Sequence, residues 1–137
     1  MSNNCIICKL ASGEFPSATV YEDDLFRAIL DISPAAKGHT LLFPKNHVAN
    51  LFELKEQEAS SVILVLQKIA AAIQKATACD GINILQNNGT AAGQSILHLH
   101  FHIIPRYNDD KITIPWKQIS YAEQEAAIIA ENIKQYL

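Results

Sequence analysis

Three short stretches in the first third of the chain, Thr19 to Glu22, Phe26 to Ile32 and His39 to Phe43, are apolar-rich and bounded by turn residues, which predicts strands. Asp23-Asp24 and Lys37-Gly38 supply the turns, and Pro44 stops the third strand. From Lys55 to Cys79 the period lengthens. Val62, Val65, Leu66, Ile69, Ile73 and Ala76 recur at helical spacing and make one apolar stripe, with Gly81 placed to end the helix. Gly81 to Gln86 reads as a fourth strand and Asn87 to Gly93 as a flexible loop. The loop leads into a strict alternation, His98-Leu99-His100-Phe101-His102-Ile103. At the ends, Cys5 to Ala11 predicts a short helix closed by Gly13 and Pro16. Ser120 to Glu123 fits a capping box opening a last helix, with Ala122, Ala126, Ile129 and Ile133 on one face. Strands, one long helix, two more strands and a terminal helix make an α+β fold, mainly an antiparallel sheet with the long helix on its apolar side. A second copy of the chain would cover an open sheet edge economically.

The composition narrows this further. At 137 residues, 49% hydrophobic and 18% charged, the chain reads as one globular domain spanning 1–137. A formal net charge of -3 argues against a grip on a nucleic-acid backbone, though not against one nucleotide. Apolar stretches such as Val62 to Leu66 are too short to span a bilayer, and Met1 to Cys5 lack a signal peptide's basic and apolar blocks. A cytoplasmic protein without membrane contact is expected. The three cysteines do not suggest a disulfide framework. Cys79 fits a small buried hydrophobe, whereas Cys5 and Cys8, at i and i+3, share one side of a helical turn, as metal chelation or redox exchange requires.

Alternate residues on a strand lie roughly 6.6 Å apart on one face, so His98, His100 and His102 face away from Leu99, Phe101 and Ile103. Two chemistries want imidazoles in a row: ligation of a metal with an open position, or a nucleophile positioned by its neighbours. Gly93-Gln94-Ser95 lies just upstream, a small-residue turn whose donors suit phosphate oxygens. The closest acids, Asp109 and Asp110, fall beyond Pro105 on a turn expected to be solvated.

The run His98 to Ile104 resembles the His-φ-His-φ-His-φ-φ signature (φ, apolar) of the histidine triad family of nucleotide hydrolases and transferases. Asp31-Ile32-Ser33-Pro34, Lys37 to Leu41, Pro44-Lys45-Asn46-His47 and Ala92-Gly93-Gln94-Ser95 match in the same order, most closely the bacterial relatives of the histidine triad nucleotide-binding (Hint) proteins. The resemblance implies a five-stranded, histidine-triad-like fold with His100 as the nucleophile. It would attack the α-phosphorus of a purine nucleoside phosphoramidate, ester or anhydride and become transiently nucleotidylated, after which water releases the monophosphate. A backbone carbonyl would fix its tautomer. Catalysis would also involve His98, with His102 and Ser95 contacting the phosphate and leaving group. Asp31 would hold the ribose hydroxyls, Ile32 with Ile6 or Ile7 would sandwich the base, and Asn87, Gly93 and Gln94 would surround the phosphate. The resemblance further implies a homodimer and no organic cofactor. Beyond Arg106 it fades, and Trp116 would face either the substrate or a partner.

Cys5, Cys8, His47 and His98 form a donor set suited to tetrahedral zinc, and bacterial relatives with this pair bind zinc there. With four protein ligands the site would be structural. The alternative is a reduced thiol pair with His47 as a loop residue. His39 is expected to be a buried polar residue hydrogen-bonded behind the triad. The rival functional reading is a nucleotide-binding or partner-binding module with incidental hydrolysis.

Overall fold

A computed structural model describes residues 4–137. In chain order these form α1 (Ile6–Ser12), β1 (Thr19–Glu22), β2 (Phe26–Leu30), β3 (Thr40–Pro44), α2 (Glu56–Thr77), β4 (Gly81–Gln86), β5 (Phe101–Arg106) and α3 (Glu125–Lys134). The strands make one antiparallel sheet in the order β1-β2-β3-β5-β4. The α+β architecture expected from the sequence is present.

The sheet is covered on both faces. Phe26, Ala28, Leu42, Leu99, Phe101 and Ile103 pack on the α2 stripe of Val62, Val65, Leu66, Ile69 and Ile73. Each such side chain, fully buried, is worth about 1.5–3 kcal/mol. By length and composition α2 could cross a membrane; here its apolar stripe lines this core. On the opposite face Ile29 and Phe43 meet Ile7 and Ala11 of α1. The triad runs along that second face, beside α1.

Several boundaries differ from the sequence reading. β2 stops at Leu30 and β3 starts at Thr40, so His39 precedes its strand. α2 is closed by Ala78 in a left-handed conformation (φ 52°), its N–H donating to the Gln74 carbonyl, while Gly81 begins β4. β5 begins only at Phe101 because Leu99 N–H donates to the Val48 carbonyl, at 2.7 Å, instead of joining the ladder. The alternation survives this change of partner, since Leu99 stays in the α2 core. Gly38 is a position that needs glycine: its φ is +97°, and a Cβ there would sit 3.0 Å from Thr77 Cγ2.

Arg106 anchors the chain as it leaves β5, bonding Asp110, the Asn83 side chain and the Ile112 carbonyl. Asp110, expected to be solvated, is thus a partner in this anchor, with its side chain only 11% exposed. Beyond it, every residue from 115 to 137 is exposed. The expected capping box at Ser120 does not form. Instead the carboxylate of Glu125 accepts from Ala122 N–H at 2.7 Å and α3 starts one turn later. Ala122 therefore lies outside the helix, and the stripe of Ala126, Ile129 and Ile133 is left exposed by the described residues.

Candidate active site and metal cluster

His100 is 8% exposed, and its Nδ1–H donates to the backbone carbonyl of His98, two residues earlier, at 2.7 Å. With that proton fixed on Nδ1, the lone pair of Nε2 is left for attack. The His102 ring stands 5.0 Å away, edge on.

A chain of hydrogen bonds fixes His102 in turn. Ala35 N–H donates to His39 Nδ1 at 3.0 Å, so His39 carries its proton on Nε2. That Nε2–H donates to His102 Nδ1 at 2.9 Å. His102 must then carry its own proton on Nε2, where it can donate. Burial, with His100 and His39 nearby, lowers the His102 pKa to about 4. His39 is lowered too, by burial outweighing the favourable charge of Asp31. The His102 donor is therefore a neutral N–H at pH 7. His39 occupies the buried position behind the triad that the sequence reading gave it.

Asp31 follows β2 and is divided between two tasks. One oxygen accepts from Ser33 N–H at 2.8 Å, forming a local turn, and the other lies 3.6 Å from His39 Nε2. Ile32 is 98% exposed beside it. Of the two candidates on α1, Ile6 is exposed and Ile7 belongs to the core with Phe43. Ile7 is thus unavailable to a base, because its helical position aims it at the sheet. Gln94, expected among the phosphate ligands, is buried. Its amide donates to the Ala49 and Ile96 carbonyls and accepts from Gly89 N–H, so it holds the loop together. Gly93 is left-handed at φ 89° and its carbonyl accepts from Asn87 Nδ2 at 3.5 Å, while Ser95 is exposed at the mouth of the strand.

The remaining face of the triad meets the cysteines. His98 Nε2–H donates to the Pro44 carbonyl at 2.9 Å, which turns the Nδ1 lone pair toward Cys5 Sγ (3.5 Å) and Cys8 Sγ (3.6 Å). His47 Nδ1 lies 3.3 Å from Cys8 Sγ. One ligand atom from each of the four residues lies within 4.8 Å of all the others. Tetrahedral zinc with usual bond lengths would separate sulfur and nitrogen ligands by about 3.6 Å, so the donor set fits the metal in chemistry and spacing. The Pro44 carbonyl supplies the outer hydrogen bond that metal-bound histidines ordinarily make.

Asp31, His39 and His102 also cluster within 4.8 Å, yet their tautomers forbid the same use. Ala35 occupies the His39 Nδ1 lone pair, so a proton rather than a lone pair points into that cluster. The donor set of the first cluster could hold a metal ion, whereas the second is occupied by hydrogen bonds. The sequence could not show this, because backbone atoms of Ala35 and Pro44 decide it.

Residues 12–109 match the HIT domain family model. A crystal structure of a member of the HIT family from Bacillus subtilis superposes with a TM-score of 0.93 at 42% identity, covering 98% of each chain. Adenosine 5'-monophosphoramidase hnt1 of Schizosaccharomyces pombe is 35% identical over 131 residues, 95% of this chain and 96% of its own length. A Zn-bound histidine triad family protein from Mycobacterium smegmatis superposes with a TM-score of 0.78 at 34% identity, covering 99% of this chain and 97% of its own. With five antiparallel strands, a triad on the face opposite the long helix and these relatives, the chain belongs to the HIT domain family.

Proposed function

We propose that the protein hydrolyses purine nucleoside phosphoramidates or related nucleotidyl compounds, releasing the nucleoside monophosphate through a covalent intermediate on His100. The observation that carries this is the bond from His100 Nδ1–H to the His98 carbonyl, which in the neutral ring turns the Nε2 lone pair outward from a nearly buried side chain. In the first step Nε2 forms a bond to the α-phosphorus while the bond to the leaving amine or oxygen breaks, the leaving group taking a proton from solvent at the strand mouth that the attacking water of the second step gives back. Water then attacks phosphorus, the phosphorus–nitrogen bond breaks, and its electrons return to Nε2. Negative charge developing on the phosphoryl oxygens meets the His102 Nε2–H and, at the strand mouth, the Ser95 hydroxyl. Asp31 receives the ribose hydroxyls, and the base lies between Ile32 and Ile6. The phosphoramidase name carried by the Schizosaccharomyces pombe relative supports this substrate class.

Cys5, Cys8, His47 and His98 would hold a structural zinc ion, which, when bound, ties α1 to the strand carrying the nucleophile. A homodimer is part of the same reading: it would cover the β4 edge and give the bare C-terminal arm a surface to pack on. The test is release of AMP from an adenosine phosphoramidate. His100→Asn should abolish turnover with AMP binding retained, and rapid quenching of the wild type should trap adenylate on His100. Turnover surviving in His100→Asn removes the nucleophile assignment.

A further inference from the structure

Cys5 and Cys8 do not enter the chemistry above, but three features give them a second potential. They are three residues apart, at the entry of α1 and within its first turn, with sulfurs inside 4.8 Å of one another. Cys5 is partly exposed and Cys8 buried, so an oxidant meets Cys5 first and Cys8 stands behind it. Both lie against His98 Nδ1, and His98 is the residue whose carbonyl fixes the tautomer of His100.

We propose that Cys5 and Cys8 are a redox modification site: a peroxide converts the pair to a disulfide, any bound metal is released, and the nucleophile loses its support. The peroxide oxygen is attacked by the Cys5 thiolate, the O–O bond breaks, and water leaves the sulfenic acid on Cys5. The Cys8 thiolate then attacks that sulfur; the S–S bond forms, the S–O bond breaks, and a second water departs. The two sulfurs together lose two electrons and the peroxide gains them. A disulfide cannot ligate zinc as two thiolates do, so the ion would be left with His47 and His98 alone. Loss of both sulfur partners removes the tie between α1 and His98, and the backbone of His98 loses that restraint on the carbonyl it presents to His100. The structural half of this inference is independent of the proposed reaction, whereas the effect on turnover rests on it.

The test treats protein loaded with one equivalent of zinc with hydrogen peroxide. Intact mass, zinc release and AMP release are then followed. The expected result is a mass lower by ~2 Da, one zinc freed per chain, and turnover reduced at least about tenfold, the usual scale for disturbing a ligand's outer support. A thiol reductant with zinc should restore all three. Cys79→Ser should behave as wild type, and Cys8→Ser should never show the disulfide mass. Retention of the original mass and metal, or the same mass loss in Cys8→Ser, overturns the site. A disulfide with undiminished turnover overturns the coupling through His98. An enzyme inactive even when reduced would instead sink the proposed reaction and leave the mass result standing.

Discussion

Replacing His39 with leucine removes two hydrogen bonds at once. Ala35 N–H loses its acceptor, and His102 Nδ1 loses the donor 2.9 Å away. Each buried group left without a partner costs about 1–3 kcal/mol. Asp31 beside them is partly exposed, so water can reach part of the gap, and a stability loss of about 2 kcal/mol is expected. The catalytic effect is separate. Without His39 nothing holds the His102 proton on Nε2, and the donor aimed at the phosphoryl oxygens is no longer assured. Losing one such donor costs ~10²–10³ in kcat, so a fall near ~10²-fold is expected with KM little changed. His39→Gln is the informative companion, because a side-chain amide can accept from Ala35 and donate to His102. It should recover turnover to within about tenfold of wild type if hydrogen-bond polarity is what matters. Steady-state release of AMP, with thermal unfolding of both variants in parallel, supplies the measurements. Leucine turning over at the wild-type rate, or glutamine no better than leucine at equal stability, would refute the relay.

Other outcomes follow from the same geometry. His98 and His102 both titrate in the fold at about 4 against an ordinary 6.5, so in metal-free protein the unfolded chain binds more protons below pH 6.5. Stability should therefore decline as pH falls from 6.5 toward 4, by up to ~1.4 kcal/mol per pH unit for each ring, and a melting temperature flat across that window would contradict the burial argument. Stripping metal with a chelator should lower the melting temperature, and added zinc should restore it, rising with the logarithm of free zinc; equal melting curves would show the cluster to be no metal site. Gly38→Ala should destabilise the fold by at least about 1–2 kcal/mol, because alanine is strained at positive φ and its Cβ meets Thr77; urea unfolding measures it. If the proposed homodimer packs on the C-terminal arm, deleting residues 117–137 should leave the melting transition of the sheet intact while shifting the scattering mass toward that of one chain. An unchanged dimer mass would separate the arm from assembly.

The sequence displayed most of the fold because its periods were unmixed. The α2 stripe from Val62 to Ile73 is the face that packs, with Ala76 left exposed, and the alternation from His98 to Ile103 sorts side chains correctly even where the ladder has not begun. The donor types at Cys5, Cys8, His47 and His98 were equally legible, as was the buried place of His39. What the chain concealed was decided by atoms that every residue shares. The Pro44 carbonyl orients His98, Ala35 N–H sets the proton of His39, and Val48 takes the hydrogen bond of Leu99 from the sheet. Gln94 misled for a related reason: an amide beside a glycine-rich turn suits phosphate and backbone alike, and only the path of the loop shows that backbone claimed it. The α3 stripe was visible as a pattern, but a pattern cannot say which body it will lie against.

The two-sided sorting of residues 98 to 103 limits how this protein can change its length. An insertion or deletion of one residue there would invert every later side chain, driving imidazoles into the α2 interface and Phe101 or Ile103 onto the opposite face. Fold and chemistry would be lost in one event, with no intermediate form in which either survives. The turn just upstream, which the Gln94 side chain ties to the backbone of Gly89, Ile96 and Ala49, carries no such parity. Related chains can be expected to vary in length in the loop between Asn87 and Gly93 while keeping the count from His98 to Ile103 fixed.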